Sequence, residues 1–437
     1  LATALPVGLP PEEAIEAFRR KGLQPSFSWQ DVYAEEHARA FTVAKVAKLD
    51  ILEDIHGAVD AAIAEGETFA DFKRRLIPTL QEKGWWGRGR MVDPRDGEEK
   101  DVQLGSVRRL RTIYDTNLRT AHAAGRWEQV QRTAAQRPFL RYVHLDNGNP
   151  REQHKAWHGR VLPAEDPWWR TAFPPNGWGC HCSVQQLSAR DLARYGYNVS
   201  PSPPKHPITT AYTNPRTGEI RHLPPGISPG FDYNPGIAAR ETAARVLGER
   251  LAAAPAKLGA ATWAEASHQV LPDLQAGFGR WVDDVAARRE PQGDVHPLGA
   301  ISPQAIARLH GSDQAPAAAG IVLRAPDLRK MVSTGNERLK GLSQRQRVEL
   351  VRQLPSLLAN PLAAWYDAEA KQLLYILARG SKEFADEQLL VTVARAPKAR
   401  RKGTPAVNAV VEVDLLSKKN GDLGRFVGLT SLPTGAR

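Results

Sequence analysis

The stretch Arg141 to Ser188, RYVHLDNGNPREQHKAWHGRVLPAEDPWWRTAFPPNGWGCHCSVQQLS, decides how this chain is read. It contains both cysteines of the protein, Cys180 and Cys182, with His144, His154, His158 and His181 from a total of twelve histidines. His154 and His158 stand four apart, so a short helix across them points both imidazoles to one side. The cysteines follow Pro174-Pro-Asn-Gly-Trp-Gly179, whose prolines and glycines set a reversal that can aim both sulfurs back at that helix. A set of His154, His158, Cys180 and Cys182 closes a tetrahedral structural zinc site. Two other readings stand beside it, because Cys-x-Cys is tighter than the usual zinc spacing. The thiols could be reduced and inert, or form a disulfide, one to another chain included; within one chain an i, i+2 pair meets the required geometry only under strain. No His-Glu-x-x-His occurs, so the pattern does not point to a catalytic zinc.

The run Arg151-x-x-His154-x-x-x-His158-Gly159, then Asp166-Pro-Trp168, then Pro174-Pro-Asn-Gly-Trp-Gly-Cys-His-Cys182 resembles the signature of the phage Mu F-like head morphogenesis proteins, minor capsid proteins of tailed phages. Glu36 to Lys45 (EHARAFTVAK), Gly84-Trp85-Trp86-Gly87, Thr116 to Arg126 (TNLRTAHAAGR) and Phe231 to Gly236 (FDYNPG) resemble further words of the same family. Where the family usually has an arginine between the cysteines, this chain has His181, which adds a candidate ligand and leaves the fourth one open. The resemblance implies a virion protein that joins the portal vertex during head assembly and lies inside the capsid beside packaged DNA. Its partners would be the portal protein, packaged double-stranded DNA and capsid or scaffold proteins, with assembly in the host cytoplasm.

A length of 437 residues implies two or three domains. No run of about eighteen apolar residues is present, so no membrane span is expected, and the opening LATALPVGLPPEE lacks the pattern of a signal peptide. The first residue is Leu1, which leaves the true start open. Two cysteines provide no disulfide framework and point to a reducing compartment. A net charge of +11 favours contact with a polyanion, against the plainer reading of a basic surface.

The expected architecture is multi-domain α+β. Residues 1–136 form a mostly helical, portal-associated module, with a start at Pro10-Pro11-Glu12-Glu13 and an apolar stripe Val43, Val46, Leu49, Leu52, Ile55, Val59, Ile63. Thr68 caps a helix from Phe69 to Lys83 that Gly84 ends. Trp85 and Trp86 are either a docking surface or the plug of a local core. Arg88 to Gly105 reads as charged and turn-rich. The next helix carries Leu110, Tyr114, Leu118 and Ala121 inward, and Arg108, Arg109, Arg111, Arg119 and Arg126 outward, as a phosphate track or a solvated face. Residues 137–236 hold the His/Cys subdomain and a Pro/Gly-rich arm or strand-turn insert from about 199. Residues 237–299 are alanine-rich helix and the linker Glu290 to His296.

Residues 300–437 read as a small, basic α/β domain. A helix runs from Gln344 to Leu358 behind Ser343, and an antiparallel meander follows at Gln372 to Ala378, Gln388 to Ala394 and Val407 to Val413. The order weakly resembles phage-borne barnase/EndoU/colicin/RelE-like nuclease domains, which implies an alternative function, a packaged RNase-like effector. Such an RNase needs proton-transfer groups, yet His310 is the only histidine beyond residue 300 and lies outside the strands. Lys371, Arg379 and Lys382 are the cations a lysine/arginine mechanism would use, and no catalytic set is visible. Most of the positive charge lies in this part, densest at Lys398, Arg400, Arg401 and Lys402, a candidate phosphate-contact loop or a solvated turn. A third reading is a plain non-specific DNA-binding protein.

Overall fold

Apolar residues at steps of three and four bury one side of the helix Leu49–Glu65: Ile51, Leu52, Ile55, Ala58, Val59, Ala62 and Ile63 are all buried. Val43 and Val46 continue that spacing and are buried too, but they precede the helix in irregular chain, so their burial comes from packing and not from the helical period. Gly66 ends the helix at φ +69°. Thr68 then caps Phe69–Glu82, its hydroxyl accepting from the Asp71 amide. The computed structural model describes residues 11–145, 151–203, 209–287, 295–309, 316–367, 369–378, 388–394, 408–416 and 427–428. It divides into two compact units, Leu1–Arg240 and Glu241–Arg437, and the architecture is α+β.

In the first unit, Glu12–Arg19, Leu49–Glu65, Phe69–Glu82 and the long helix Val107–Arg132 share one core. The charged run after residue 88 is a hairpin, Arg88–Val92 paired with Glu99–Gln103. Its strands carry no apolar alternation in the sequence; cross-strand pairs Arg88–Asp101 at 2.9 Å and Arg90–Glu99 at 3.0 Å take that place. Trp85 is a core plug: it is 4% exposed, and its indole N–H donates to the Lys45 carbonyl at 2.6 Å. The arginine row on the long helix is only partly a solvent face. Arg109 donates to the carbonyls of Gln103 and Leu104, Arg111 lies 3.7 Å over the Phe69 ring, and Arg119 meets His181. The arm beyond residue 199 contains a hairpin, Thr210–Thr213 with Ile220–Leu223. Arg216 at its turn reaches Asp31 at 2.6 Å and Asp93 at 2.8 Å, tying three distant stretches together. Burial alone would push the Asp93 carboxyl up, but donors from Lys100, the Arg95 amide and Arg216 hold it well below the usual carboxylate range.

A three-stranded sheet follows the long helix, in the order Val161–Pro163, Phe139–Val143, Ser183–Leu187, all antiparallel. Its core is aromatic: Trp127, Tyr142, Trp157, Trp169 and Phe173 are buried together.

The second unit is built on a seven-stranded sheet in the order Val295–Ala300, Gly320–Arg324, Asn408–Leu416, Gln388–Ala394, Gln372–Ala378, Ala363–Asp367, Val427–Gly428. Its centre is an antiparallel meander, and Gly320–Arg324 joins Asn408–Leu416 in parallel. Gln372–Ala378 and Gln388–Ala394 occupy the expected residues, while the third strand begins at Asn408 and runs on to Leu416. Four described strands come without a sequence expectation, and one of them already contains Val295 and His296, so a linker does not reach that far. The helix expected from Gln344 to Leu358 is two, Gln344–Arg352 and Leu354–Ala359. Pro355 lacks the N–H of a continuing helix and crowds the preceding turn, so the second helix starts afresh around it. Phe278, Trp281, Val282 and Val285 of the helix Ala256–Ala286 close the core of this sheet. Among the described residues no helix is long and apolar enough to cross a membrane.

Candidate metal centre

The antiparallel register Tyr142↔Val184, Val143↔Ser183 sets the site. Continuing it by one step puts His144, at the end of one strand, opposite Cys182, at the start of the other. The side-chain contact agrees, with His144 Nδ1 at 3.4 Å from the Cys182 sulfur. Cys180 lies two residues back, buried, its amide donating to the Gly177 carbonyl in the turn that follows the prolines. His154 comes from the short helix Glu152–Trp157 and is 2% exposed. Its Nδ1 is 3.7 Å from the Cys180 sulfur and 3.6 Å from that of Cys182.

The other ring nitrogen of His154 lies 2.7 Å from the Gly226 carbonyl. A carbonyl only accepts, so Nε2 carries the proton and Nδ1 keeps its lone pair toward the sulfurs, the tautomer of a metal-binding histidine. Gly226 has φ +88°, and a Cβ there would meet Gln153 and Trp157 at under 3 Å, so this carbonyl reaches the imidazole because the residue is glycine. The Trp157 ring stacks on His154 with centroids 5.3 Å apart, and Tyr142, Trp168 and Trp169 continue the aromatic wall. Behind it the Tyr142 hydroxyl donates to buried Asn176 at 2.8 Å, which fixes the Pro174-Pro-Asn turn against the sheet. Through these contacts Trp157, Trp168 and Trp169 wall the site with aromatic rings and Asn176 holds the turn.

The two thiols are free, with their sulfurs within 4.8 Å of each other. The hydrogen bond between them, then the His154 imidazole, holds the Cys180 thiol down at about 4 despite burial, whereas the same contact and burial push Cys182 far up. Burial, with the charge of Cys180 nearby, also pushes the Tyr142 phenol up. His154, Cys180 and Cys182 thus form a group whose ligand atoms all lie within 4.8 Å of one another and that could hold a metal ion. One imidazole and two sulfurs beside an aromatic wall fit zinc, a borderline-soft ion, and do not fit calcium or magnesium, which take oxygen ligands.

His158 does not join them. The helix stops at Trp157 and His158 leaves it with φ −55° and ψ 131°, so the four-residue spacing no longer puts the two rings on one side. Its Nδ1 accepts the His144 amide at 3.1 Å and its Nε2 lies 3.4 Å from the Arg141 guanidinium. His181 points elsewhere, both ring nitrogens 3.2 Å from Arg119, and burial followed by that positive charge lowers its pKa. His144 was visible as one of the crowded histidines, but only strand pairing shows that it faces Cys182. Lys398, Arg400, Arg401 and Lys402 lie outside the described residues, as do His310, Arg379 and Lys382. Lys371 is exposed in the turn before Gln372–Ala378, at φ +56°.

Comparison with known proteins agrees with the signature. The family described as Phage Mu protein F like protein matches residues 53–185, a span that ends just past the cysteines. A protein of Escherichia phage Mu, provisionally named capsid assembly protein F, is 35% identical over 390 residues, 85% of this chain and 84% of that one. The Mu-like prophage FluMu F protein of Haemophilus influenzae (strain ATCC 51907 / DSM 11121 / KW20 / Rd) is 36% identical over 239 residues, 51% of this chain and 55% of that one. No solved structure matches the chain.

Proposed function

The chain belongs to the phage Mu F-like family, and on that premise we propose that it is a minor capsid protein of a Mu-like tailed phage, acting in head assembly. One observation carries the reading: the likeness to the phage Mu protein covers 85% of this chain, more than either compact unit alone, so both units belong to the shared protein. The partners that suit this role are the portal protein, other capsid or scaffold proteins and packaged double-stranded DNA, inside the head near the portal vertex. The N-terminal helical module docks to the portal. The His/Cys group holds a structural zinc ion, whose chemistry there is to crosslink the small sheet, the His154 helix and the cysteine turn.

The test is co-purification of the full chain with a portal ring, and recovery from assembled heads of a protein shortened to residues 1–240. Both should be positive. Failure of the full chain to associate, or retention of residues 241–437 with loss of 1–240, contradicts the docking assignment. DNA contact is tested by titrating the full chain on unrelated duplexes at several salt concentrations. Phosphate contact predicts a log–log slope of about 0.9 per phosphate neutralised. Replacing Lys398, Arg400, Arg401 and Lys402 by alanine should reduce that slope by up to about 3.6. Salt-insensitive or strongly sequence-dependent binding contradicts contact through phosphates.

A further inference from the structure

We propose that His144, and not His158, is the fourth ligand of the metal centre, completing a Cys2His2 tetrahedron with His154, Cys180 and Cys182 across the ends of two paired strands. The inference rests on the reading of that group as a zinc site.

Three sulfur–nitrogen separations converge on it. In a tetrahedral zinc site with bonds of about 2.3 Å to sulfur and 2.05 Å to nitrogen, neighbouring S and N ligands stand about 3.6 Å apart. His154 Nδ1 lies at 3.7 and 3.6 Å from the two sulfurs, and His144 Nδ1 at 3.4 Å from Cys182. These separations match those of ligands sharing one ion; His144 touches Cys182 but stands outside the three whose ligand atoms all lie within 4.8 Å of one another, so its ring must draw closer to complete the tetrahedron when metal binds. The backbone places His144 there, because the register puts residue 144 opposite residue 182, and the His158 imidazole fixes the His144 amide by accepting its N–H at 3.1 Å. That acceptor role uses the Nδ1 lone pair of His158, and its Nε2 faces the Arg141 cation, so neither nitrogen is turned to the sulfurs. His144 differs: Nδ1 faces a sulfur, and Nε2 is buried with no hydrogen-bond partner among the described residues. No hydrogen bond among the described residues therefore holds that second nitrogen, and a bond from Nδ1 to a metal would fix the ring. On this assignment His158 is a positioning residue for His144. The family signature that includes His158 then marks an outer contact of the site.

The experiment uses the full chain, reduced and purified with zinc, with metal content measured and cobalt(II) exchanged into the site. Wild type should hold one metal ion per chain, and the cobalt form should show sulfur-to-metal charge transfer with the strong visible bands of a tetrahedral centre. His144→Gln should lose those bands and lower metal affinity by more than the roughly 10–100-fold that an outer contact costs. His158→Gln should stay within that range and keep the tetrahedral spectrum. His144→Cys, which restores a ligand, should recover tight binding and add charge-transfer intensity, a gain that loss of folding could not produce. Wild type without metal would refute the zinc reading itself. Metal in wild type, with the tetrahedral spectrum lost in His158→Gln and kept in His144→Gln, would leave that reading standing and overturn the assignment of His144.

Discussion

The sheet that carries the His/Cys group has strands of three, five and five residues, whereas the central strands of the second unit's sheet have seven, seven and nine. The small sheet buries Tyr142, Trp157, Trp169 and Phe173, and their polar atoms need partners: the Tyr142 hydroxyl has Asn176 and the Trp169 indole has the Pro163 carbonyl at 3.0 Å. The large one buries Leu373, Leu377, Leu389, Val391, Val393, Val410 and Val413, which need only contact. Short strands bury too little aliphatic surface to offset the entropy of ordering them, so a region of this kind depends on specific crosslinks. The second unit depends on area, and each side chain in it is replaceable at a graded cost.

The largest expected effect follows from that contrast. Chelation, or Cys180→Ser, should destabilise the small sheet by on the order of 5–10 kcal/mol, toward the scale on which structural zinc is coupled to folding. Hydrogen exchange should show protection lost in residues 139–187 and kept in 372–378 and 388–394. Equal loss in both sheets, or none in protein shown to contain zinc, would break the comparison. A smaller effect is expected from Leu377→Ala, which opens a cavity beneath a fully buried strand position. Its cost should be about 3 kcal/mol in denaturant unfolding and should not change when chelator is added.

The smallest effect concerns acid. Burial first, and then the charge of Lys21, pushes the His37 imidazole down to about 4 from an ordinary value of 6.5. Between those two values the unfolded chain binds a proton that the folded one refuses. The contribution of His37 to stability is therefore complete above about pH 6.5, falls as pH drops toward 4, and has no further to fall below that. After allowance for partial exposure the loss should be about 2 kcal/mol. Denaturation midpoints of the first unit measured from pH 7 to 4 should drop less steeply in His37→Gln than in wild type. An unchanged slope would mean that His37 is protonated in the folded protein.

What the sequence determined by itself is what short-range repetition can encode. The three-and-four spacing of Ile51 to Ile63 and the cap at Thr68 specify helices from within a dozen residues, and the aliphatic runs 372–378 and 388–394 specify strands in the same way. Crowding of histidine and cysteine around the Pro-Pro-Asn-Gly turn marked the site, and His154, Cys180 and Cys182 meet there. The tertiary structure decided the rest, since it turns on pairing between residues far apart. The hairpin at Arg88–Gln103 is held by opposite charges across its strands, a pattern with no apolar period. Gly320–Arg324 is completed by residues near 408, some ninety positions on, and is too short to declare itself. His158 turns away from the sulfurs and His144 comes to face Cys182 for two reasons that spacing does not contain: a helix ends one residue before His158, and an antiparallel register carries residue 144 to face residue 182.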